Sequence, residues 1–454
     1  MDSKARAQMM GQEKIPKVLR KLAIPAIIGM LVTAIYNIVD TLFVSMLGTE
    51  AMGAVSVVYP LFMLLSAVGL MYGIGGASFV SRLLGKQDQA KADEVASTTI
   101  VTSFLSAIAI TIVINLFLGP ILKGFGATPD LMSMATSYGR VLVTGGLFTI
   151  LNMTFNNLLR AEGSAHFSMI ALCVGAVLNI IFDPIFIFVF DMGVSGAAVA
   201  TVLAQGISTL LLLSYFLRRK SVIHFSIKLF KPSKATYVEL YKIGIPTFIR
   251  QFLMSFSMGL LNTAASPYGA AALASFGVVT KVFSLVAMVI FGFAQAFQPV
   301  AGFNYGAGAY DRLKETIKVS LTWSTIFTTV STLIYLIFTP QIISLFTNDP
   351  EVMDIGVRAM RAMIVLFPFF GFQSIYATLF QAMGKGKEAG LLSLARQGIF
   401  FIPAILILPE FLGLNGVLYA QPLADACTII LTAYLAYKAH KAIHALEQVE
   451  RKAA

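Results

Sequence analysis

The stretch KLAIPAIIG at residues 21–29 returns 221 residues later as KIGIPTFIR at residues 242–250. The offset continues without a gap through most of each half, and a slip of one residue then sets GVSGAAVA at 193–200 against GLNGVLYA at 413–420. A repeat of this length predicts two copies of one structural unit, which together make the fold. Pairs of identical residues that keep the offset are Gly48 and Gly269, Gly85 and Gly306, Pro129 and Pro350, and Gly163 and Gly384.

The composition is that of a membrane protein. Hydrophobic residues make up 57% of the 454 residues and charged residues only 12%, whereas a soluble domain has about 25% charged residues. Apolar stretches of about 20 residues, enough to cross about 30 Å of hydrocarbon as a helix, recur along the chain. Alternating strands of the barrel type are not found, so we expect an all-α polytopic membrane protein with six spans in each copy. The twelve predicted spans are 22–47, 52–81, 95–119, 131–159, 167–190, 193–217, 240–265, 271–303, 315–339, 352–382, 389–409 and 413–437.

The distribution of charge predicts the orientation of the chain. Basic residues cluster near both termini and in every second loop, while the intervening loops hold Lys123 and otherwise acids or no charge. Under the positive-inside rule this pattern places both termini in the cytoplasm, which requires an even number of spans. It also accounts for the net charge of +11 without a nucleic-acid partner, so we expect a multi-pass protein of the cell (plasma) membrane. The predicted units are an N-lobe at 1–217, a cytoplasmic linker at 218–239, a C-lobe at 240–438 and a cytoplasmic tail at 439–454.

The duplicated architecture favours a transporter. Two copies of six spans share one orientation and meet along a central seam, as in alternating-access transporters, where one half rocks against the other. A channel or a receptor is the alternative from another class, although no segment resembles a selectivity filter. Neither a GxxxxGK[ST] motif for ATP nor an HExxH motif is present, so we expect no enzyme and no cofactor. The two cysteines, Cys173 and Cys427, lie within spans and are expected to pack rather than to pair or to bind a metal.

Two acids break the repeat inside the first copy. Asp40 aligns with Leu261, and Asp183 aligns close to Pro403, so the second copy lacks both carboxylates. If spans 1 and 5 run outward, Asp40 lies about 9 Å and Asp183 about 7–8 Å beyond the middle of its span. The two are thus at matching height. Acids within a span mark ion or proton pathways by default, and a pair that merely stabilises helix packing is the alternative. Polar side chains on the same faces or at the same level are Tyr36, Asn37, Asn179 and Thr201.

A proline adds to this group of oxygens. Pro184 follows Asp183 directly and cannot donate a hydrogen bond to the carbonyl of Ile180, one turn earlier. That carbonyl, the carboxylates and the neighbouring amide and hydroxyl oxygens form the kind of site that binds a hard cation or shares protons. Because the same oxygens serve both ions, the coupling ion stays open between Na⁺ and H⁺. Pro25 in span 1 and Pro184 in span 5 are predicted to bend their helices.

Several motifs point to one family. YNIVDTLFV at 36–44, SRLLGKQD at 81–88, LNIIFDPIFIF at 178–188, FNYGAGAYDR at 303–312 and the Ile-Pro openings of spans 1 and 7 resemble those of the MATE (multidrug and toxin extrusion) family. The resemblance covers essentially the whole chain. It implies a V-shaped bundle of twelve helices that exports organic, often cationic and amphipathic, compounds against inward H⁺ or Na⁺. The cation site that it implies in the N-lobe consists of Asp40, Asn179, Asp183 and Thr201, with Tyr36 and Asn37 nearby.

One subgroup of that family has acids in spans 7, 8 and 10 of the C-lobe, and this chain has none well inside those spans. The expected partners are small organic molecules and the lipid bilayer, and the chain is expected to act as a monomer. Its 20 methionines and 36 phenylalanines suit an adaptable apolar cavity, although most of them are expected to face lipid or the core.

The second copy has its own charged residues within spans. Arg250, Lys281 and Arg396 lie in spans 7, 8 and 11, and Asp425 in span 12 is the only acid among them. They are expected either to pair with Asp425 and with carbonyls at helix ends, or to line a basic cavity for an anionic or zwitterionic group. Three functions therefore remain open: a cation-coupled multidrug antiporter, an exporter or flippase of a specific anionic or lipid-linked metabolite, and a channel or receptor. The first is favoured.

Overall fold

The computed structural model describes residues 3–453, and these form eighteen α-helices with no strand among them. The helices of the first half are α1 (Ser3–Gln12), α2 (Ile15–Ser45), α3 (Thr49–Gly85), α4 (Gln89–Leu116), α5 (Leu118–Gly124), α6 (Pro129–Thr144), α7 (Gly146–Ala161), α8 (Ala165–Pro184) and α9 (Gly193–Leu217). The helices of the second half are α10 (Lys234–Ala265), α11 (Gly269–Gly306), α12 (Tyr310–Ile337), α13 (Thr339–Ser344), α14 (Pro350–Ile364), α15 (Phe370–Ala382), α16 (Gly386–Leu394), α17 (Ile402–Leu412) and α18 (Leu414–Ala453).

Short segments of other helix types join some of these helices. The 3₁₀ turns are Ile227–Leu229, Ser266–Tyr268 and Phe367–Phe369. Two π-helical segments, Ile185–Val189 and Ala395–Phe401, continue α8 and α16.

The helices account for the twelve predicted spans. Within residues 3–453, nine continuous helical stretches are long and apolar enough to cross a membrane, and two bent pairs, α6 with α7 and α14 with α15, raise the number to eleven. One of the nine is the 73-residue stretch Lys234–Gly306. At 1.5 Å per residue it would measure about 110 Å as one helix, so it is two spans, α10 and α11, joined by the turn at Ser266–Tyr268. The all-α fold of twelve spans is therefore confirmed.

Several helices are longer than the apolar stretches that predicted them. Helix α2 begins at Ile15 rather than 22, and α18 continues unbroken past the predicted tail boundary at 438. Helix α10 begins at Lys234 rather than at 240, because the Ser233 hydroxyl accepts a hydrogen bond from the Thr236 backbone N–H and caps the helix. These extensions carry polar residues, which a search for apolar stretches does not detect.

The repeat is visible in the backbone. Gly48 and Gly269 have φ angles of 103° and 89°, and Gly163 and Gly384 have φ angles of 87° and 69°. Only glycine adopts this region without strain, so both copies turn with the same residue at the same place. The bent pairs correspond as well, with angles of 44° between α6 and α7 and 42° between α14 and α15.

The buried hydrophobic residues divide the molecule into two lobes that share one end. The N-lobe comprises α1–α9 and the C-lobe α10–α18. One continuous cluster joins residues of both lobes where α3, α7, α11 and α15 end, and includes Val80, Phe155, Phe297 and Leu379. At the opposite end two clusters belong to the C-lobe and one to the N-lobe, and the N-lobe cluster also takes in Leu240 from the start of α10. The molecule is therefore V-shaped, with the lobes packed together at the end that carries the basic loops, here called the basic end.

Two glycines bring the lobes into backbone contact at the basic end. A Cβ atom on Gly85 of α3 would lie 2.0 Å from the carbonyl oxygen of Phe303, and one on Gly306 of α11 would lie 2.1 Å from that of Arg82. Only residues without a side chain allow such an approach. We call this contact the glycine crossing. Beside it, an ion pair of 2.8 Å between Arg82 and Glu239 joins α3 to α10.

Helix α1 lies across the basic end and contacts both lobes. Its Arg6 forms a buried ion pair of 2.9 Å with Glu162, which directly follows α7. Arg312 at the start of α12 donates hydrogen bonds to the carbonyls of Met10 (3.1 Å) and Glu13 (2.8 Å). Burial raises the pKa of the Glu162 carboxyl above its ordinary value, although hydrogen bonds from serine hydroxyls and the charge of Arg6 act in the opposite direction.

Candidate functional site

The structure brings Asp40 and Asp183 together inside the N-lobe. Helices α2 and α8 pack side by side, and the two carboxyl groups lie within hydrogen-bond reach of each other. The Asp183 side chain is fully buried, whereas that of Asp40 is partly exposed. Two carboxyl groups at this separation repel each other when both are ionised, so a proton or a cation between them is stabilising.

Two further predicted residues join the acids. The Asn179 Nδ2 donates long hydrogen bonds to Asp183 Oδ1 (3.4 Å) and to Thr201 Oγ1 (3.3 Å). Asn179 and Thr201 are buried, so α8 and α9 both contribute oxygens to the site. We call Asp40, Asn179, Asp183 and Thr201 the acidic site.

Three oxygens of the acidic site have no hydrogen-bond donor among the residues that the structure describes. They are Asp40 Oδ1, Asn179 Oδ1 and Asp183 Oδ2, and each is buried. A buried polar atom without a partner costs about 1–3 kcal/mol. Because all three are oxygens, a hard cation or a proton satisfies them where an anion does not. The site therefore has the composition of a cation or proton site, with the donors missing.

Tyrosines lie in the neighbourhood of the acids. Tyr36 on α2 and Tyr138 on α6 lie close enough to experience the charge of Asp40 and Asp183, and Tyr36 also experiences that of Tyr59 on α3. The sequence prediction included Tyr36 but missed Tyr138 and Tyr59. Comparison of the two copies contains a signal for both, since Tyr138 aligns with Ala359 and Tyr59 with Thr280.

Two predicted residues lie differently from the others. Asn37 is exposed, and its Nδ2 donates to the carbonyl of Thr33 in its own helix at 2.9 Å, so no hydrogen bond links it to the acidic site. Pro25 lies inside α2, which continues as one helix through it.

Pro184 ends α8, and the next five residues adopt π-helical geometry, with the Phe190 N–H donating to the Ile185 carbonyl at 2.9 Å. The proline thus changes the pitch of the helix directly after Asp183. Single π-helical turns are rare and occur frequently at functional sites.

The charged residues of the C-lobe do not form one group. Arg396, in the second π-helical segment, binds Asp425 through Nε–Oδ1 (2.6 Å) and Nη2–Oδ2 (3.3 Å), and its guanidinium lies 4.8 Å from the centre of the Phe370 ring. Arg250 Nε is buried and has no hydrogen-bond partner within residues 3–453. Lys281 is exposed. Pairing with Asp425 therefore accounts for Arg396 and leaves Arg250 without an acceptor.

The fold is a bundle of twelve spans in two lobes that are closed at one end, and the N-lobe carries a pair of acids within its spans. This is the architecture of a membrane transporter. The MatE family model matches the chain twice, at residues 25–185 and 246–406, with the same offset of 221 residues as the internal repeat. The chain belongs to the MatE family. The resemblance to MATE proteins and the prediction of a transporter rather than an enzyme are confirmed.

Individual proteins are similar to this chain over nearly its whole length. It is 29% identical over 427 residues to the multidrug export protein MepA of Staphylococcus haemolyticus (strain JCSC1435), with 94% of each chain covered. A solved structure of a multidrug resistance MATE family transporter of the MOP superfamily in an outward-facing conformation is 28% identical, with a TM-score of 0.90 and coverage of 97% of this chain and 98% of that one. A MATE crystal structure in the straight conformation is 28% identical, with a TM-score of 0.91 and coverage of 97% and 99%.

Proposed function

We propose that the protein is a multidrug exporter of the cell membrane that moves organic compounds outward in exchange for inward-moving H⁺ or Na⁺. The observation that carries the proposal is the acidic site, in which two carboxyl groups lie within reach of each other beside buried oxygens without donors. Membership of the MatE family and similarity to a multidrug export protein support the export of organic compounds. The exporter works as a monomer, because the two repeats already supply both lobes.

The orientation follows from charge. The basic end faces the cytoplasm, since lysines and arginines concentrate in its loops. Both termini are then cytoplasmic, and the lobes are closed toward the cytoplasm and separated toward the outside. In this assignment the units are an N-lobe at 1–217, a linker at 218–239, a C-lobe at 240–438 and a tail at 439–454. The conformation is thus outward-open, with the acidic site on the side from which the coupling ion arrives.

The acidic site binds the coupling ion. Desolvated carboxylates are costly when they lack a counter-charge, so a proton or Na⁺ arriving from outside neutralises the pair and satisfies the oxygens without donors. Asp40 and Asp183 carry the charge, Asn179 and Thr201 supply neutral oxygens, and the hydroxyls of the neighbouring tyrosines complete the shell. No cofactor takes part.

Helix α2 connects the acidic site to the contact between the lobes. Asp40 lies in its outer half, while its basic half packs on α11 of the C-lobe so closely that a Cβ on Gly292 would lie 2.8 Å from the Ile27 Cα. Pro25, two residues from Ile27, weakens the hydrogen bonding of α2 at this contact. Neutralising Asp40 changes how α2 packs on α8, and the shift alters the lobe contact and the cavity, so that substrate is released outward.

The test is transport into inside-out vesicles. Uptake of a fluorescent organic cation is compared between the wild type and Asp183→Asn under an imposed proton gradient and then under a sodium gradient. We expect gradient-driven uptake in the wild type and its loss in Asp183→Asn, because the amide cannot take up the coupling charge. The gradient that drives uptake identifies the ion.

A matched control accompanies this test. Asp191→Asn makes the same chemical change eight residues later, at an exposed position outside the acidic site, and is expected to transport like the wild type. Gradient-driven uptake that persists in Asp183→Asn refutes the assignment of the acidic site as the coupling site.

A second candidate function is favoured by one observation in the C-lobe. Arg250 Nε has no acceptor among residues 3–453, and Asp425, the acid predicted well inside a C-lobe span, is already bound to Arg396. A half-buried guanidinium whose Nε has no partner suits an anionic group supplied by a ligand. The protein would then export or flip a specific anionic or lipid-linked metabolite. The vesicle assay separates the two functions, since uptake restricted to anionic compounds supports the second and uptake of varied organic cations the first.

A further inference from the structure

A small polar pocket lies between the lobes next to the glycine crossing. Asn157 and Arg160 on α7 face Gln295 and Gln298 on α11 across the seam, and the gap between them is too narrow for a water molecule in this conformation. We call these four residues the junction pocket. Buried polar side chains are normally hydrogen-bonded, and those of the junction pocket are only partly so.

The donors of the junction pocket outnumber its acceptors. Arg160 is only 7% exposed, and among residues 3–453 its one hydrogen bond runs from Nη1 to Ser168 Oγ at 3.2 Å. Within the described part of the chain no carboxylate forms an ion pair with Arg160, and Glu162, two residues away, is bound to Arg6. Gln298 is 6% exposed, and its Nε2 has no partner. A guanidinium has five N–H donors, so the pocket holds a buried positive charge beside an unpaired amide donor, Gln298 Nε2, and its buried unpaired amide oxygen, Gln295 Oε1, is neutral.

The repeat indicates that this charge is not required by the fold. Arg160 aligns with Gln381 of the second copy, and Gln298 aligns with Ala77 of the first. Each copy therefore packs at the lobe junction with a neutral or small residue where the other has a donor. Arg160 is a buried cation without a counter-ion among the described residues, and the second copy packs without a cation at this place. Burying such a charge costs free energy that packing alone does not explain.

We propose that the junction pocket binds a small anionic group, the carboxylate of an organic compound or an inorganic anion, when the lobes part at the basic end. Arg160 supplies the charge, and the Gln298 amide supplies a second donor from the other lobe. Closure of the lobes leaves no room for the anion and expels it. Because the anion binds only the parted state, it favours that state by mass action. The site is distinct from the acidic site, which binds a cation in one lobe.

The test is direct binding to the full-length protein in detergent, without any gradient, so its result does not depend on the transport proposed above. Trp323 is the single tryptophan, and its ring lies 6.3 Å from that of Phe293, two residues before Gln295, so its fluorescence reports on this region. Sodium benzoate is titrated against its neutral analogue benzamide at constant ionic strength. The thermal midpoint is measured as a second readout.

We expect a saturable response to benzoate and none to benzamide. Binding should weaken by about 10-fold or more in Arg160→Gln, because hydrogen bonds to a charged group contribute about 1.5–3 kcal/mol, and by about 2–10-fold in Gln298→Ala. Gln298→Ala installs the residue that the first copy has at this place, so it keeps the protein testable if Arg160→Gln does not fold. Arg218→Gln, an exposed change at the same end, should bind like the wild type.

The source of the anion is decided by competition. Benzoate binding that chloride and phosphate do not affect assigns the pocket to an organic carboxylate, and displacement by either salt assigns it to an inorganic anion. Equal affinity in the wild type and Arg160→Gln overturns the proposal. So does an equal response to benzamide, or no response to any anion in both readouts.

Discussion

Gly306→Ala is the sharpest test of the closed lobe junction. The added Cβ would lie 2.1 Å from the Arg82 carbonyl oxygen and 2.8 Å from its carbonyl carbon, whereas ordinary contacts begin at 3.4 Å. Both atoms belong to the backbone of α3, so no side chain can rotate to make room. Helices α3 and α11 must therefore move apart by about 1 Å.

The cost of that movement falls on one conformation only. Overpacking a close contact costs about 1–3 kcal/mol. The glycine crossing exists only while the lobes are packed at the basic end, so the full amount acts against the closed junction. A change of this size shifts the equilibrium about 5–150-fold toward conformations in which the basic end is open.

Amide hydrogen exchange measures the shift without labels. Exchange of residues 80–86 and 300–306, which flank the glycine crossing, should become faster in Gly306→Ala. Gly277→Ala is the matched control on the same helix, because a Cβ there has nothing within 4 Å. If Gly306→Ala protects these segments as well as the wild type does, the closed junction does not depend on the glycine crossing and the reasoning is wrong.

Two further predictions concern charged groups. Burial raises the pKa of Glu162, so the folded protein binds this proton more tightly than the unfolded chain and stability should rise as the pH falls from 8 through the raised pKa. Thermal midpoints between pH 5 and 8 check this, and Glu162→Gln should flatten the dependence; an unchanged slope contradicts it. Arg396→Met leaves Asp425 buried without its partner and should lower stability by about 3–5 kcal/mol. Asp425→Leu combined with Arg396→Met should restore most of the loss, and chemical unfolding that finds the double variant no more stable than the single one argues against the ion pair as the cause.

The spans could be predicted because the bilayer imposes a simple rule on sequence. A stretch of about 20 apolar residues suffices to recognise a helix such as α9, whose observed start and end match the prediction. The ends of α2 and α18 could not be predicted, since beyond the hydrocarbon the helix is maintained by tertiary contacts of polar and amphipathic residues. The irregularity at Pro184 could be predicted from the proline, but its π-helical form and the second π-helical segment, Ala395–Phe401, could not.

The four residues of the acidic site were predictable although they lie on three helices. Spacing along α8 relates Asn179 to Asp183, and the repeat singled out both acids. The approach of Tyr138 and the missing partner of Arg250 depend on which helices are neighbours, which spacing does not encode. Asn37 is exposed because it precedes Asp40 by three residues and so points about 60° away from it around α2. Spacing alone does not say on which side of Asp40 the neighbouring helices pack.

The glycine crossing says something about the origin of the molecule. Gly85 contacts Phe303 and Gly306 contacts Arg82, and each of these residues is the other's counterpart in the repeat. The contact is therefore self-complementary, as in a homodimer with a twofold axis. A single copy of six spans would have had this surface before the gene was duplicated, and two such copies would have met glycine against glycine. After fusion each lobe could change independently of the other. The acids of the N-lobe and the arginines of the C-lobe are such differences, and a dimer of two identical chains cannot have them.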